Sequence, residues 1–195
     1  MLNQTKKLLT VTAITLSSIF STPVFADDSP ADTCKSASSL FKEGDIEGAL
    51  EEARWCVTQL EQLKQGQTSA FFKDEIGGYI GGKLESNQAM GFTVIERRYN
   101  KESISISVTL SGGASGAANN AFAAIAAFGM QAAQGKKVRI QRRTAIVNDE
   151  NGSVQVVITL KSGGMLTFDS SELSKDDVIG FAKIFPVADL DDSRK

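Results

Sequence analysis

Histidine does not occur anywhere in the 195 residues of this chain. Its absence removes the usual general base near neutral pH. Ser–His and Cys–His nucleophile pairs go with it, and so does the commonest zinc ligand. Catalysis by paired carboxylates, lysine or tyrosine is the chemistry left open. An excess of positive charge is missing too: 21 Lys and Arg stand against 23 Asp and Glu. General nucleic-acid binding needs a basic surface to neutralise phosphates, so the sequence argues against that class. The two cysteines form no Cys-x-x-Cys pair, and a thioredoxin-like redox role has no support. No apolar run approaches the roughly 20 residues that cross about 30 Å of hydrocarbon.

What is present begins with a basic start, Lys6-Lys7, followed by an uncharged and mostly apolar run from Leu8 to Phe20. Ser21, Thr22 and Pro23 break the run, and Val24-Phe25-Ala26 sets small residues where a signal peptidase cuts. The pattern predicts a cleaved export signal over 1–26 and a mature chain that works outside the cytoplasm, in a bacterial periplasm. No cysteine follows the run directly, so no lipid anchor is expected. The mature chain keeps 19 basic residues and all 23 acidic ones, a net charge of −4. Its length suffices for one core or two small ones. An oxidising compartment favours a bridge between Cys34 and Cys56, with two free buried thiols as the alternative.

Residues 27–68 are expected to form a helical hairpin. Ala49, Leu50, Ala53, Cys56, Val57, Leu60 and Leu63 recur at three-and-four spacing, which is a helix stripe. Gly44 suits a helix C-cap, and Asp45 can cap the next helix. If the chain reverses about Asp45, residues whose numbers sum to 90 face each other, and Cys34 meets Cys56. Ala37, Leu40, Phe41, Gly44, Asp45, Ala49, Leu50 and the small Cys56 together resemble one tetratricopeptide-like repeat unit. The resemblance covers about 30 residues; the stretch is expected to be a stapled helical hairpin packed on the main domain, with a protein-interaction element as the alternative. Thr33 and Ser36 are polar where that family is usually apolar, Ala53 replaces a bulky residue, and Glu61 stands where proline is common. No second copy follows, so the family's peptide groove is not carried over.

Residues 69–195 are expected to form an antiparallel sheet with helices, giving an α+β fold. Ile104, Ile106, Val108 and Leu110 alternate with Ser103, Ser105, Ser107 and Thr109. Val154, Val156, Ile158 and Leu160 alternate in the same way. Phe92 to Tyr99, Val138 to Val147 and Met165 to Phe168 have strand character. Ser174-Lys175-Asp176-Asp177 resembles a capping box, and Val178, Phe181, Ala182 and Phe185 share one helical face. That helix should stop at Pro186 and cover the sheet's apolar face. The glycines of Ile76-Gly77-Gly78-Tyr79-Ile80-Gly81-Gly82-Lys83 lack a phosphate-loop ending, and Gly112-Gly113-Ala114-Ser115-Gly116 has the wrong spacing for a dinucleotide loop. No cofactor is expected.

Between Ser103 and Gly135 there is no charged residue, and Ala121 to Met130 is unbroken apolar. Alanine makes this stretch a strong helix former. It is expected to be an inserted helix, either packed in the core or offering Phe122, Ile125, Phe128 and Met130 to a partner, a lipid or a second copy of the chain. Directly after it, Lys136-Lys137-Val138-Arg139-Ile140-Gln141-Arg142-Arg143 holds five basic residues in eight. In one continuous strand Lys137, Arg139 and Arg143 share a face. With Arg97 and Arg98 from an earlier hairpin they make a candidate anion or partner site; the alternatives are a solvated sheet face and internal pairing with acids such as Asp189, Asp191 and Asp192. Asp149 and Glu150 lie in an Asn/Gly turn without the spaced acids of a calcium loop, so no metal is expected. The leading functional expectation is a periplasmic, non-catalytic binding or adaptor protein that meets another envelope protein or lipid. A carrier of a lipid or other amphiphile in a cavity beneath the sheet is the alternative, and a histidine-independent enzyme the third.

Overall fold

The computed structural model describes residues 29–89, 92–113, 135–150 and 152–194. The expected export signal and the Ala-rich stretch with Phe122, Ile125, Phe128 and Met130 lie outside them. The first helix, α1 (Pro30–Glu43), starts where Ser29 Oγ accepts the Asp32 amide and Pro30 fixes the first turn. Gly44 ends it at φ 86°, a left-handed conformation that costs glycine nothing. The next residue, Asp45, caps α2 (Ile46–Ser69) by accepting the Gly48 amide at 2.9 Å. The hairpin is therefore built where the Gly-Asp pair predicts.

Eight strands follow: β1 (Glu75–Ile76), β2 (Tyr79–Ala89), β3 (Phe92–Lys101), β4 (Ile104–Gly113), β5 (Lys136–Ile140), β6 (Arg143–Glu150), β7 (Ser153–Thr159) and β8 (Met165–Ser170). They form one antiparallel sheet in the order β1-β2-β3-β4-β8-β7-β6-β5. Two four-stranded meanders are thus joined through β4 and β8. The alternation read from the sequence sets the register. Val108 pairs with Phe168, which pairs with Val156, which pairs with Val147, and all four are buried on one face. Leu110, Leu166, Ile158 and Ala145 form the next row.

Helices cover that face. Ser174 caps α3 (Lys175–Ile184) by accepting the Asp177 amide, and Val178, Phe181 and Ala182 are buried against β7 and β8, with Phe185 directly after the helix. Phe181 stacks near Tyr79 and Tyr99, with ring centroids 5.1 and 5.4 Å away, and Phe185 meets Phe72 and Phe168 edge-on at 5.4 and 5.5 Å. The helix stops before Pro186 as expected, but a second short helix, α4 (Val187–Ser193), begins directly after it. Its Val187 and Leu190 are fully buried. The continuous strand expected over 138–147 is instead a hairpin, because the chain reverses at Gln141-Arg142. No helix among the described residues is long and apolar enough to cross a membrane.

Candidate functional site

The helical hairpin is covalently pinned. Cys34 and Cys56 are bridged, with Cα atoms 5.1 Å apart, a separation within the range a disulfide spans. Of the apolar stripe on α2, only Ala49 and Cys56 are buried. Ala53 is half-buried, and the rest is exposed. Phe41 is 66 % exposed, and Ile46, Leu50, Trp55, Val57, Leu60 and Leu63 lie between 44 and 57 %. Ala37, Phe41, Ile46, Ala49, Leu50 and Ala53 line an open apolar groove between the two helices. Ile46, Leu50, Ala53, Val57 and Leu60 follow a strict four-three-four-three spacing along α2. That is the narrow seam by which one helix packs along another, not the broad face that packs on a sheet.

The five candidate cations are not brought together. Lys137 and Arg139 are exposed on the edge strand β5. Lysine and arginine there also discourage edge-to-edge pairing. Arg143 lies across a tight turn and on the opposite face of the sheet, so the shared face expected of Arg139 and Arg143 does not exist. Arg97 and Arg98 sit on β3, separated from β5 by four intervening strands. Arg98 is exposed, and its Nε lies 3.4 Å from Ser107 Oγ. Arg97 points to the helix-covered face. Its Nη2 pairs with Asp74 at 2.7 Å, its Nε donates to the Gly82 carbonyl at 2.8 Å, and Nη1 donates to the Phe72 carbonyl. A side chain at Gly81 would strike this guanidinium, which gives one glycine of the 77–82 run its reason.

Arg143 is the centre of a buried polar knot. Its side chain is 5 % exposed, and its Nε donates to Asp191, itself fully buried, at 2.8 Å. Nη2 pairs with Asp192 at 3.1 Å and donates to the Ala188 carbonyl, while Nη1 donates to the Gln141 carbonyl. Asp191 also accepts the amides of Lys161 and Ser162 at 3.1 and 2.8 Å. Burial alone would raise its pKa, but the Ser162 and Lys161 amides and the Arg143 guanidinium outweigh burial and hold its carboxyl below the ordinary value. Gln141 adds to the knot. Its Nε2 donates to the carbonyls of Lys183 and Phe185, and its Oε1 accepts the Ala188 amide at 2.7 Å. One amide side chain thereby caps the end of α3 and the start of α4 together. Gln141 and Arg142 both hold positive φ, 46° and 62°, a conformation that side-chain-bearing residues adopt only where their surroundings enforce it.

Tyr99 is fully buried beside Arg97, whose guanidinium lies 5.9 Å from its ring. Burial pushes its hydroxyl up to about 12, opposed by the nearby Arg97 charge and aided by Asp74. At neutral pH it is an uncharged phenol. No group of three or more metal-ligating side chains occurs among the described residues. Sequence reasoning overlooked Arg194, the residue that ends α4, which lies under α2 against Gly112. Nothing in its immediate sequence marks it. Compared with protein-family models, with curated proteins and with solved structures, the chain matches none.

Proposed function

We propose that the mature chain is an exported, non-catalytic binding protein that docks on another protein of the cell envelope through its helical hairpin. The observation that carries this reading is the exposed seam on the hairpin. Fully burying one large apolar side chain from water is worth about 1.5–3 kcal/mol, and Ile46, Leu50, Val57 and Leu60 are each about half exposed, so this seam favours being covered. The bridge between Cys34 and Cys56 holds the two helices in place before any partner arrives, which lowers the ordering cost of docking. The same bridge supports an oxidising compartment, as the export signal does. The resemblance of the hairpin to one tetratricopeptide unit points the same way. A carrier has less support, because the sheet's covered face is filled by Tyr99, Phe168, Phe181 and Phe185. The cavity that reaches Ile95 and Leu110 measures about 30 Å³, far short of an acyl chain.

The test places a photo-crosslinking residue at Leu50 or Val57 in intact cells, with Glu102 in the β3–β4 turn as the control. A discrete adduct from 50 and 57, absent from 102 and lost when Leu60→Glu is added, supports docking through the seam. Equal adducts from all three positions, or none, would sink it. N-terminal sequencing of the fractionated protein tests export: the mature chain should begin at Asp27.

A further inference from the structure

Where α2 leans on the sheet there is a small open cavity of about 30 Å³. Glu61, Lys64, Gln65 and Thr68 from α2 form one wall, and Gln88, Thr93, Ile95 and Leu110 from β2, β3 and β4 form the other. Arg194 closes it from the end of α4. Its guanidinium lies against Gly112, where an added Cβ would come within 2.9 Å of Nη2. Only a residue without a side chain leaves room for it there.

The site is electrostatically incomplete. Arg194 Nη1 is buried and has no hydrogen-bond partner among the described residues. Its guanidinium makes no ion pair there either. The acid closest to it in effect, Asp191, is already engaged by Arg143 and by two backbone amides. Burial accordingly pushes the Arg194 pKa down. Lys64 also forms no ion pair among the described residues, and Thr93 makes no side-chain hydrogen bond there. The single acid on the wall, Glu61, is approached by Gln88 Nε2 at 3.4 Å and leaves the lining with one positive charge in excess. Arg194 is half-buried, with its Nη1 shut off from water, and an anion that meets it would supply the partner this atom lacks.

We propose that this cavity binds a carboxylate group. A guanidinium offers parallel N–H donors that match the two oxygens of a planar carboxylate. Lys64 Nζ and the Thr93 hydroxyl supply further donors, and Ile95 and Leu110 give the group an apolar floor. The cavity is small and open, so it takes the carboxylate head and leaves the remainder of any larger ligand outside. Two sources share this chemistry: a small free carboxylate and the C-terminus of a peptide.

The experiment titrates the folded mature chain at constant ionic strength and follows amide shifts of Gln65, Thr93 and Arg194 by NMR. The ligands are acetate, a trialanine peptide, its C-terminal amide, and chloride. Saturable shifts with acetate are expected. Binding by trialanine and not by its amide assigns a peptide terminus, whereas binding by acetate alone assigns a small free acid. Arg194→Met should weaken binding at least tenfold with the circular dichroism spectrum unchanged. If that variant fails to fold, Thr93→Val, expected to weaken binding about threefold, takes its place. No saturable shift with any carboxylate, equal binding by chloride, or unchanged affinity in the variants would overturn the proposal.

Discussion

Replacing Asp191 with alanine should break the buried polar knot that ties the C-terminal helices to the sheet. The carboxylate is 0 % exposed and accepts three hydrogen bonds, from Arg143 Nε, Lys161 N and Ser162 N. Its loss leaves the buried Arg143 with Asp192, which is 54 % exposed and therefore screened by water. Breaking a buried pair costs about 3–5 kcal/mol. Asp192 compensates in part, so the low end applies, about 3 kcal/mol. With a urea dependence of about 2 kcal/mol per molar, the unfolding midpoint should fall by about 1.5 M. Far-UV circular dichroism in a urea series reads it. Asp191→Leu combined with Arg143→Met should cost less than the sum of the two single changes, by about 2 kcal/mol, because the uncompensated charge is gone. The pH dependence has a definite sign. The carboxyl is held below its ordinary value in the folded state, so its contribution is fully present above about pH 4 and drains away as pH falls toward the folded pKa. Asp191→Asn should flatten stability against pH in that acid window and leave the slope near neutrality unchanged. A midpoint shift under 0.3 M, or strict additivity of the pair, would refute the account of the knot.

The remaining predictions are simpler. Reducing the bridge between Cys34 and Cys56, which are 22 positions apart, should remove about 3 kcal/mol in the chain-entropy model, seen as a lower thermal midpoint with reductant. Arg142→Gly should leave stability unchanged or raise it by up to about 1 kcal/mol, since its φ of 62° suits glycine. Gln141→Ala should cost about 2 kcal/mol, because the end of α3 and the start of α4 lose their shared cap, and hydrogen exchange should quicken at Ala188. Leu50→Glu and Val57→Lys should alter the urea midpoint by no more than about 0.5 kcal/mol equivalent, since both sites face water. A large loss at either would mean that the seam is internal packing.

Much of the fold was legible because local chemistry and tertiary structure agree. Ile104, Ile106, Val108 and Leu110 announce a one-faced strand, Ser174 announces a helix start, and Gly44-Asp45 announces a reversal that sets Cys34 beside Cys56. The Gln141-Arg142 turn was hidden for a physical reason. Such turns ordinarily show Asn or Gly, and here bonds to α3 and α4 hold two side-chain-bearing residues at positive φ. Missing that turn placed Arg143 on the wrong face. The α2 stripe was legible as periodicity, but periodicity is silent on whether anything covers it. The same limit applies to Arg194. Its significance comes from Gly112 and from α2, which are distant in sequence and meet it only after folding.

The join between the two meanders also has a kinetic meaning. Within each meander, neighbouring strands are linked by short turns and zip up locally. Val108 meets Phe168 sixty positions later, so β4 and β8 close a long loop before either gains its second neighbour. That seam should set the pace of folding. Substitutions at Val108 or Phe168 should slow refolding, whereas those at the outer strands β1 and β5 should mainly hasten unfolding.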